Sequence, residues 1–340
     1  MNPLMSAMAV WMVLGVAAGC GEDEEGERPA PPRLWAALPV DTLWVRGGLD
    51  DPLLELPLAI VADSEHVYFS DLASRRIVAL SAADGSTAWV AGGQGGGPEE
   101  FERPAALALL PGSRLAVSDT RNSRITLMNR EGRIESTFRV EDPEINALCG
   151  FADGTLVTVA SSAGPGIARW LTDGQELERV DLPWPELSGA TMLERQAVAT
   201  TLPDGRGCVV ALGLGRGFGL FTELGFVSVR EYIEKVPAPN VEVRVQESGR
   251  TRTERTSAAG ATIASRGVAA APDALYFMFD GQTVDRGRIL DVYALDGTYR
   301  HSHRLDRPAA LLAFANGVLY VLSHVDAVPT LTAMRLREEA

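Results

Sequence analysis

From residue 42 onward, apolar and polar positions alternate in short runs separated by turn residues, and no stretch sustains a helical period. Period-2 alternation broken every eight residues or so is the signature of strands joined by tight turns. One hairpin turn recurs: a small residue or proline, then Asp, Asn or Gly, then an apolar run. It stands at Ala62-Asp63, Pro111-Gly112, Ala152-Asp153, Pro203-Asp204, Pro272-Asp273 and Ala315-Asn316, at intervals of 49, 41, 51, 69 and 43 residues. Each interval is about the length of one four-stranded propeller blade, which gives six.

A second turn follows each of the first five: Asp84-Gly85, Glu131-Gly132, Asp173-Gly174, Glu223 with Gly225, and Asp296-Gly297. Asp-Gly suits it because both central residues accept a positive φ. The sixth repeat reaches the end of the chain before its second turn, so it holds only three strands. The missing strand is supplied by Thr42–Gly48, which matches Thr87–Gly93 at five of seven positions and directly precedes blade one. The expected fold is therefore an all-β, six-bladed β-propeller closed by its N-terminal strand, spanning residues 41–340. Closure removes the open sheet edge, and a ring complete in one chain is expected to be a monomer. The long fourth interval predicts an insertion at about 231–262, with Val241–Val245 and Thr251–Thr256 as an amphipathic hairpin. Blade four's last strand is either Phe226–Val229 or Val241–Val245. The insertion is read as packing decoration, a mouth cap or a docking element.

Composition changes the picture mainly at the N terminus. Residues 7–18 form an apolar run too short to span a bilayer and suited to a signal peptide. Ala17-Ala18-Gly19-Cys20 resembles the bacterial lipoprotein signal, which implies removal of residues 1–19, acylation of Cys20 and attachment to a lipid bilayer; an ordinary secretory signal with Cys20 incidental is the alternative. Gly21 after the cysteine points to the outer membrane, on an extracytoplasmic face. Residues 20–40 begin acidic and end Pro-rich, and are expected to form a disordered tether. The formal charge is -14, and five acids and one Arg at 21–28 account for only part of it. Such a surface repels phosphate backbones, so nucleic acid is excluded as a partner.

Ser70-Asp71 before Arg76-Ile77, and Ser118-Asp119 before Asn122 and Arg124-Ile125, recur with Gly97-Pro98-Glu99-Glu100-Phe101 and Pro104. Together they resemble the NHL repeat and its six-bladed propeller lipoprotein relatives, over roughly Thr42–Leu336. That resemblance implies either a binding module or a lyase or lactonase with a divalent metal at the ring axis. Physically, each Asp ends a second strand, where it can accept loop amides and pair with the Arg five residues on. A loop-fixing pair repeated with the fold is the adopted reading. Gly92–Gly97 precedes no helix and no Lys-Ser/Thr, so it is a crossing loop rather than a phosphate cradle.

Candidate chemistry is sparse. Of His66, His301, His303 and His324, three converging zinc ligands cannot be placed. A calcium site built from scattered carboxylates stays open, and Asp71, Asp119, Asp280, His324 and Asp326 are the candidate mouth residues. There is no Gly-x-Ser-x-Gly elbow and no recognisable nucleophilic triad. Cys149 and Cys208 lie in neighbouring blades whose strands should stand well apart. Two buried free thiols are therefore expected, with a disulfide as the alternative in an oxidising compartment. The function expected is a membrane-tethered binding or scaffold module for an envelope protein, peptide or glycan, without catalytic residues or cofactor. A divalent-metal-dependent hydrolase or lyase is the alternative.

Overall fold

The computed structural model describes residues 32–142, 144–161, 166–187, 194–237, 242–248, 251–257, 261–325 and 328–337. After β1 (Val40–Gly47), blade one comprises β2 (Pro57–Ala62), β3 (His66–Asp71), β4 (Arg76–Ser81) and β5 (Thr87–Gly92). Blade two holds β6 (Pro104–Leu110), β7 (Arg114–Asp119), β8 (Arg124–Met128) and β9 (Ile134–Arg139), and blade three β10 (Ile145–Gly150), β11 (Leu156–Ala160), β12 (Ile167–Trp170) and β13 (Glu176–Val180). Blade four holds β14 (Ala197–Thr201), β15 (Gly207–Leu212), β16 (Gly217–Thr222) and β17 (Gly225–Glu231). β18 (Glu242–Ser248) and β19 (Thr251–Ser257) pair only with each other, as the inserted hairpin. Blade five follows as β20 (Ser265–Ala270), β21 (Ala274–Phe279), β22 (Ile289–Ala294) and β23 (Tyr299–Arg304). β24 (Ala309–Ala315), β25 (Val318–Val325) and β26 (Val328–Leu336) complete the ring with β1. No helix of the described residues is long and apolar enough to cross a membrane.

Each of the first five blades is an antiparallel sheet in chain order with its first strand innermost, and the sixth runs β24-β25-β26-β1 outward; the inner strands neighbour one another around the axis. Second strands are buried along nearly their whole length, because both faces meet adjacent blades. Six hydrophobic clusters result, one in each gap between blades. Of the two options for blade four's last strand, β17 takes the place, so Phe226–Val229 is the edge strand.

Closure is as expected. β1 pairs antiparallel with β26 from Val40↔Leu336 to Gly47↔Thr330, with a bulge between Thr42 and Trp44. Trp44 is buried, donates its indole N–H to Ala82 O at 3.0 Å, and packs 5.9 Å from the Tyr320 ring. It also covers Gly85 of blade one, where an added Cβ would lie 2.7 Å from the indole and φ is +71°. The same arrangement recurs with Trp89 over Gly132 and Phe138 over Gly174, and with the Arg230 stem over Gly297. An outer-strand side chain of one blade thus sits on the turn glycine of the next. That turn needs glycine for its backbone and for the space above it.

Chain engagement begins before residue 40. Arg33 grips Asp291 in a bidentate pair at 3.0 Å, contacts Glu234, and lies 4.8 Å from the centre of the Phe279 ring. Burial disfavours its charge, but the two carboxylates more than offset this and raise its pKa. Leu34 and Ala36 exchange backbone bonds with Ser302, so residues 33–36 run along the outer edge of blade five. Residues 33–36, within the expected tether, are therefore docked on blade five.

Cys149 and Cys208 form a disulfide, with Cα atoms 6.2 Å apart, which corrects the expectation of two free thiols. The reason is the wedge shape of the gap between blades. Near the axis β10 and blade four converge: Gly150 N–H donates to Thr201 Oγ1 at 3.2 Å, and Ala152 N–H to Gly205 O at 2.8 Å. Neighbouring blades are well separated only towards their outer strands.

Two outcomes test this account. Trp44→Asp should lower stability by at least about 3–5 kcal/mol, the scale for losing a buried tryptophan, and abolish cooperative melting in calorimetry. Unchanged melting would show that β1 does not close the ring. Cys149→Ser with Cys208→Ser removes a cross-link spanning 59 residues, worth about 4 kcal/mol by the chain-entropy estimate. Denaturant unfolding should show that loss, and thiol labelling of the unfolded, unreduced wild type should leave both cysteines unmodified.

Candidate functional site

All six inner strands start at one face of the ring, and five carry a register shift just inside that mouth. The extra residues are Leu58, Ala105, Asn146, Arg266 and Ala310. A bulge bends its strand and re-aims the side chain it carries. All five line one open cavity of about 550 Å³, with Arg103, Gln196, Ile263 and Leu311 among its other walls. This funnel shares Leu58, Asn146, Val198, Arg266 and Leu311 with a channel cavity of about 410 Å³ along the axis. Further in, small side chains such as Ala59, Ala106, Ala147 and Ala199 face the channel, with Gly267 on blade five.

Polar groups are unevenly spread around the mouth. Blades two to five supply Arg103, Asn146, Gln196 and Arg266, whereas blades six and one supply Ala310, Leu311 and Leu58. Arg266 Nη2 is held at 3.0 Å by Asp280, which also takes Arg286 Nε at 3.0 Å. The backbone N–H of Arg103 donates to Asp119 at 2.9 Å, and its Nη1 lies 3.8 Å from Glu144. In a chain of net charge -14, the charges lining this mouth are those of guanidinium groups.

The sequence candidates are placed as follows. Asp71 is fully buried and accepts the amides of Glu55, Leu56 and Ser74. Asp119 is fully buried too, accepting those of Glu102 and Arg103, with Asn122 at 2.6 Å and Arg124 at 3.3 Å. Each therefore clamps the crossing loop that enters its own blade. The Asp–Arg pair forms in blade two, while Arg76 in blade one is exposed. Arg124 and Asn122 donate to carbonyls of Gly95, Gly96 and Gly97, so the glycine-rich loop turns its oxygens towards a guanidinium. Asp280 orients Arg266. His324 lies on β25 at the same face, half-buried, and Asp326 falls outside the described residues, as does Cys20. His301 and His303 lie on outer strand β23 with Nε2 atoms 3.1 Å apart. Among the described residues no group of three or more His, Cys, Asp or Glu side chains is placed to share a metal ion. The buried carboxylates, occupied by amides and guanidiniums, do not fit a metal at the axis.

Arg103, Asn146, Gln196 and Arg266 were not singled out from sequence. For Asn146 and Arg266 the signal lies in the second residue of the inner strand, whereas Arg103 and Gln196 each stand just before one. Aligned as Pro57-Leu58-Ala59, Pro104-Ala105-Ala106, Ile145-Asn146-Ala147, Ser265-Arg266-Gly267 and Ala309-Ala310-Leu311, that position alone breaks an otherwise small or apolar pattern.

No protein-family model and no curated protein sequence matches the chain. Solved structures do, through the fold. The RRP9 WD40 repeats align at 12% identity and TM-score 0.58 over 88% of this chain and 100% of that one. Virginiamycin B lyase from Staphylococcus aureus aligns at 13% identity and TM-score 0.53, covering 86% and 98%. Kuenenia stuttgartiensis hydrazine synthase aligns at 13% identity and TM-score 0.55, covering 86% and 99%. The chain has the six-bladed β-propeller fold. These neighbours include a lyase and a WD40 propeller, and at such identities the likeness is one of architecture.

Burial, and then the charge of Arg266, lowers the pKa of His324. Folding depresses this pKa, so the unfolded chain takes up the proton more readily. The stability held above the unfolded value of about 6.5 is then lost as pH falls below it. Between pH ~7.5 and ~5.5, wild-type protein should lose stability that His324→Gln retains. Parallel denaturant titrations check this, and identical pH slopes would show that His324 titrates alike in both states.

Proposed function

We propose that this chain is a binding module of the cell envelope, tethered through acylated Cys20 and engaging a protein, peptide or glycan at the Arg266 mouth. It is read as a relative of the NHL-type propeller lipoproteins. The observation that carries the proposal is the set of five inner-strand bulges, which open the mouth and aim chemically different side chains into it. A pocket of apolar walls with a few convergent polar groups is what small-ligand and peptide recognition requires. The Cys149–Cys208 disulfide supports an oxidising compartment. The lipoprotein-like residues before Cys20 support the anchor. The metal-dependent hydrolase or lyase alternative is not adopted, since the candidate carboxylates Asp71, Asp119 and Asp280 already have partners.

One cellular experiment tests both halves. A photo-crosslinking amino acid at Ala310, in the mouth, should yield discrete adducts in intact cells. The same group at Leu177, exposed on outer strand β13, should yield none. Cys20→Ser should abolish palmitate labelling and release the protein from the membrane fraction. Equal adduct patterns at both positions would overturn the mouth as the binding surface, and a variant still labelled and membrane-bound would overturn the anchor.

A further inference from the structure

The binding-module reading leaves the ligand unnamed, and the distribution of side chains around the mouth narrows it. Arg103 on blade two and Arg266 on blade five stand at the two ends of the polar arc, facing each other across one cavity, and blades six and one close it with carbon walls. Arg266 is over a third exposed, yet Asp280 fixes its orientation through Nη2. Asp280 is nearly fully buried and holds a second arginine, Arg286, by the same oxygen. One carboxylate thus serves two guanidiniums, and the trio keeps a net positive charge at the rim. Arg103 faces a single carboxylate, Glu144, without a hydrogen bond between them, so its outer nitrogens keep free donors. Its Nε is sealed from solvent without a hydrogen-bond partner among the described residues, and Glu144 stands 3.8 Å from Nη1, beyond hydrogen-bond reach. Guanidinium forks left with free donors match carboxylate oxygens better than point charges do.

The opposite arc sets the rest of the ligand. Leu58, Ala310 and Leu311 there, and Ile263 beside Arg266, offer no polar side-chain atom, and the channel behind them includes Ala59, Ala106, Ala147, Ala199 and Gly267 among its walls. Asn146 and Gln196 sit between the two arginines, on blades three and four, each amide offering donor and acceptor, with Asn146 Nδ2 also donating to Ser161 Oγ at 2.7 Å. The funnel's volume is that of sites for small ligands or peptide ends. The small surplus of positive charge suits one negative charge, not two.

We propose that the mouth binds a monovalent organic carboxylate carried on an apolar body, with the carboxylate at Arg266 and Arg103 and the body against Leu58, Ile263 and Leu311. This rests on the mouth being the binding surface. A peptide C terminus bearing an apolar side chain and a short fatty acid share that chemistry.

The test uses full-length protein in lipid nanodiscs, titrated by calorimetry with hexanoate, with hexylamine and with inorganic phosphate, against empty nanodiscs. An N-acetylated dipeptide ending in leucine, and its C-terminal amide, form a further pair that separates the peptide source from the fatty-acid one. Saturable binding of hexanoate or of the free-acid peptide is expected, with none of hexylamine, phosphate or the amide. Arg266→Ala should weaken carboxylate binding at least tenfold, and Arg266→Lys should restore part of it. Asp280 keeps Arg286 as a partner in both variants, and Arg103→Gln, which leaves the backbone bond to Asp119 in place and removes a side chain bonded to no buried acid, provides an independent second loss. Arg121→Ala, at an exposed arginine on the same face that does not line the mouth, should bind as wild type. Wild-type affinity in Arg266→Ala and Arg103→Gln, equal affinity for hexanoate and hexylamine, or no carboxylate binding at all would each overturn the proposal. If mouth adducts at Ala310 persist in that case, the binding-module reading stands and only the ligand class falls.

Discussion

The pairing of β1 with β26 is the constraint on which the ring depends. Six wedge-shaped sheets touch only their neighbours, and each of the six apolar clusters is shared by two blades. If one seam opens, the two sheets beside it lose a face of their burial, and nothing at the centre compensates, because the centre is a channel. Strand pairing alone would leave the seam to slide. Trp44 fixes it across two blades at once, hydrogen-bonding to Ala82 and resting on Gly85. The recurrence of this contact at Trp89, Phe138 and Arg230 shows that the seam uses the same joint as the rest of the ring.

Much of this was legible because it is local or repeated. Hairpin turns carry their own chemistry, and Thr42–Gly48 betrayed its place by echoing Thr87–Gly93. Features set by the meeting of distant strands left no local trace. Nothing around Cys149 indicates that β10 approaches blade four near the axis, since that approach follows from the taper of the wedge. Arg33 sits just after an acidic and proline-rich run, and its partner Asp291 lies 258 residues away in a buried strand. The mouth was hidden for a different reason. A bulge shifts the alternation by one residue, so Asn146 and Arg266 occupy positions that strict period-2 counting assigns to the wrong face.

The aspartates illustrate how one repeat position diverges in use. In blades one and two the carboxylate at the end of the second strand holds backbone amides and stabilises a crossing loop. In blade five Asp280 stands just beyond the second strand and takes two arginine side chains instead. Burial is nearly complete in all three. The difference lies in what the neighbouring loop offers, so the same acid is structural in one blade and a positioning group for the mouth in another.

The engagement of Arg33 has a mechanical consequence. A pull applied at the N terminus reaches blade five before it reaches β1. It meets a buried bidentate ion pair to Asp291 and the backbone bonds of Leu34 and Ala36 to Ser302. Tension is thereby diverted into the edge of a complete sheet and kept off the strand that closes the circle. If the anchor is the acylated Cys20 proposed above, the twelve intervening residues span at most about 43 Å. The ring would then hang on a short leash whose strain relief is built into residues 33–36.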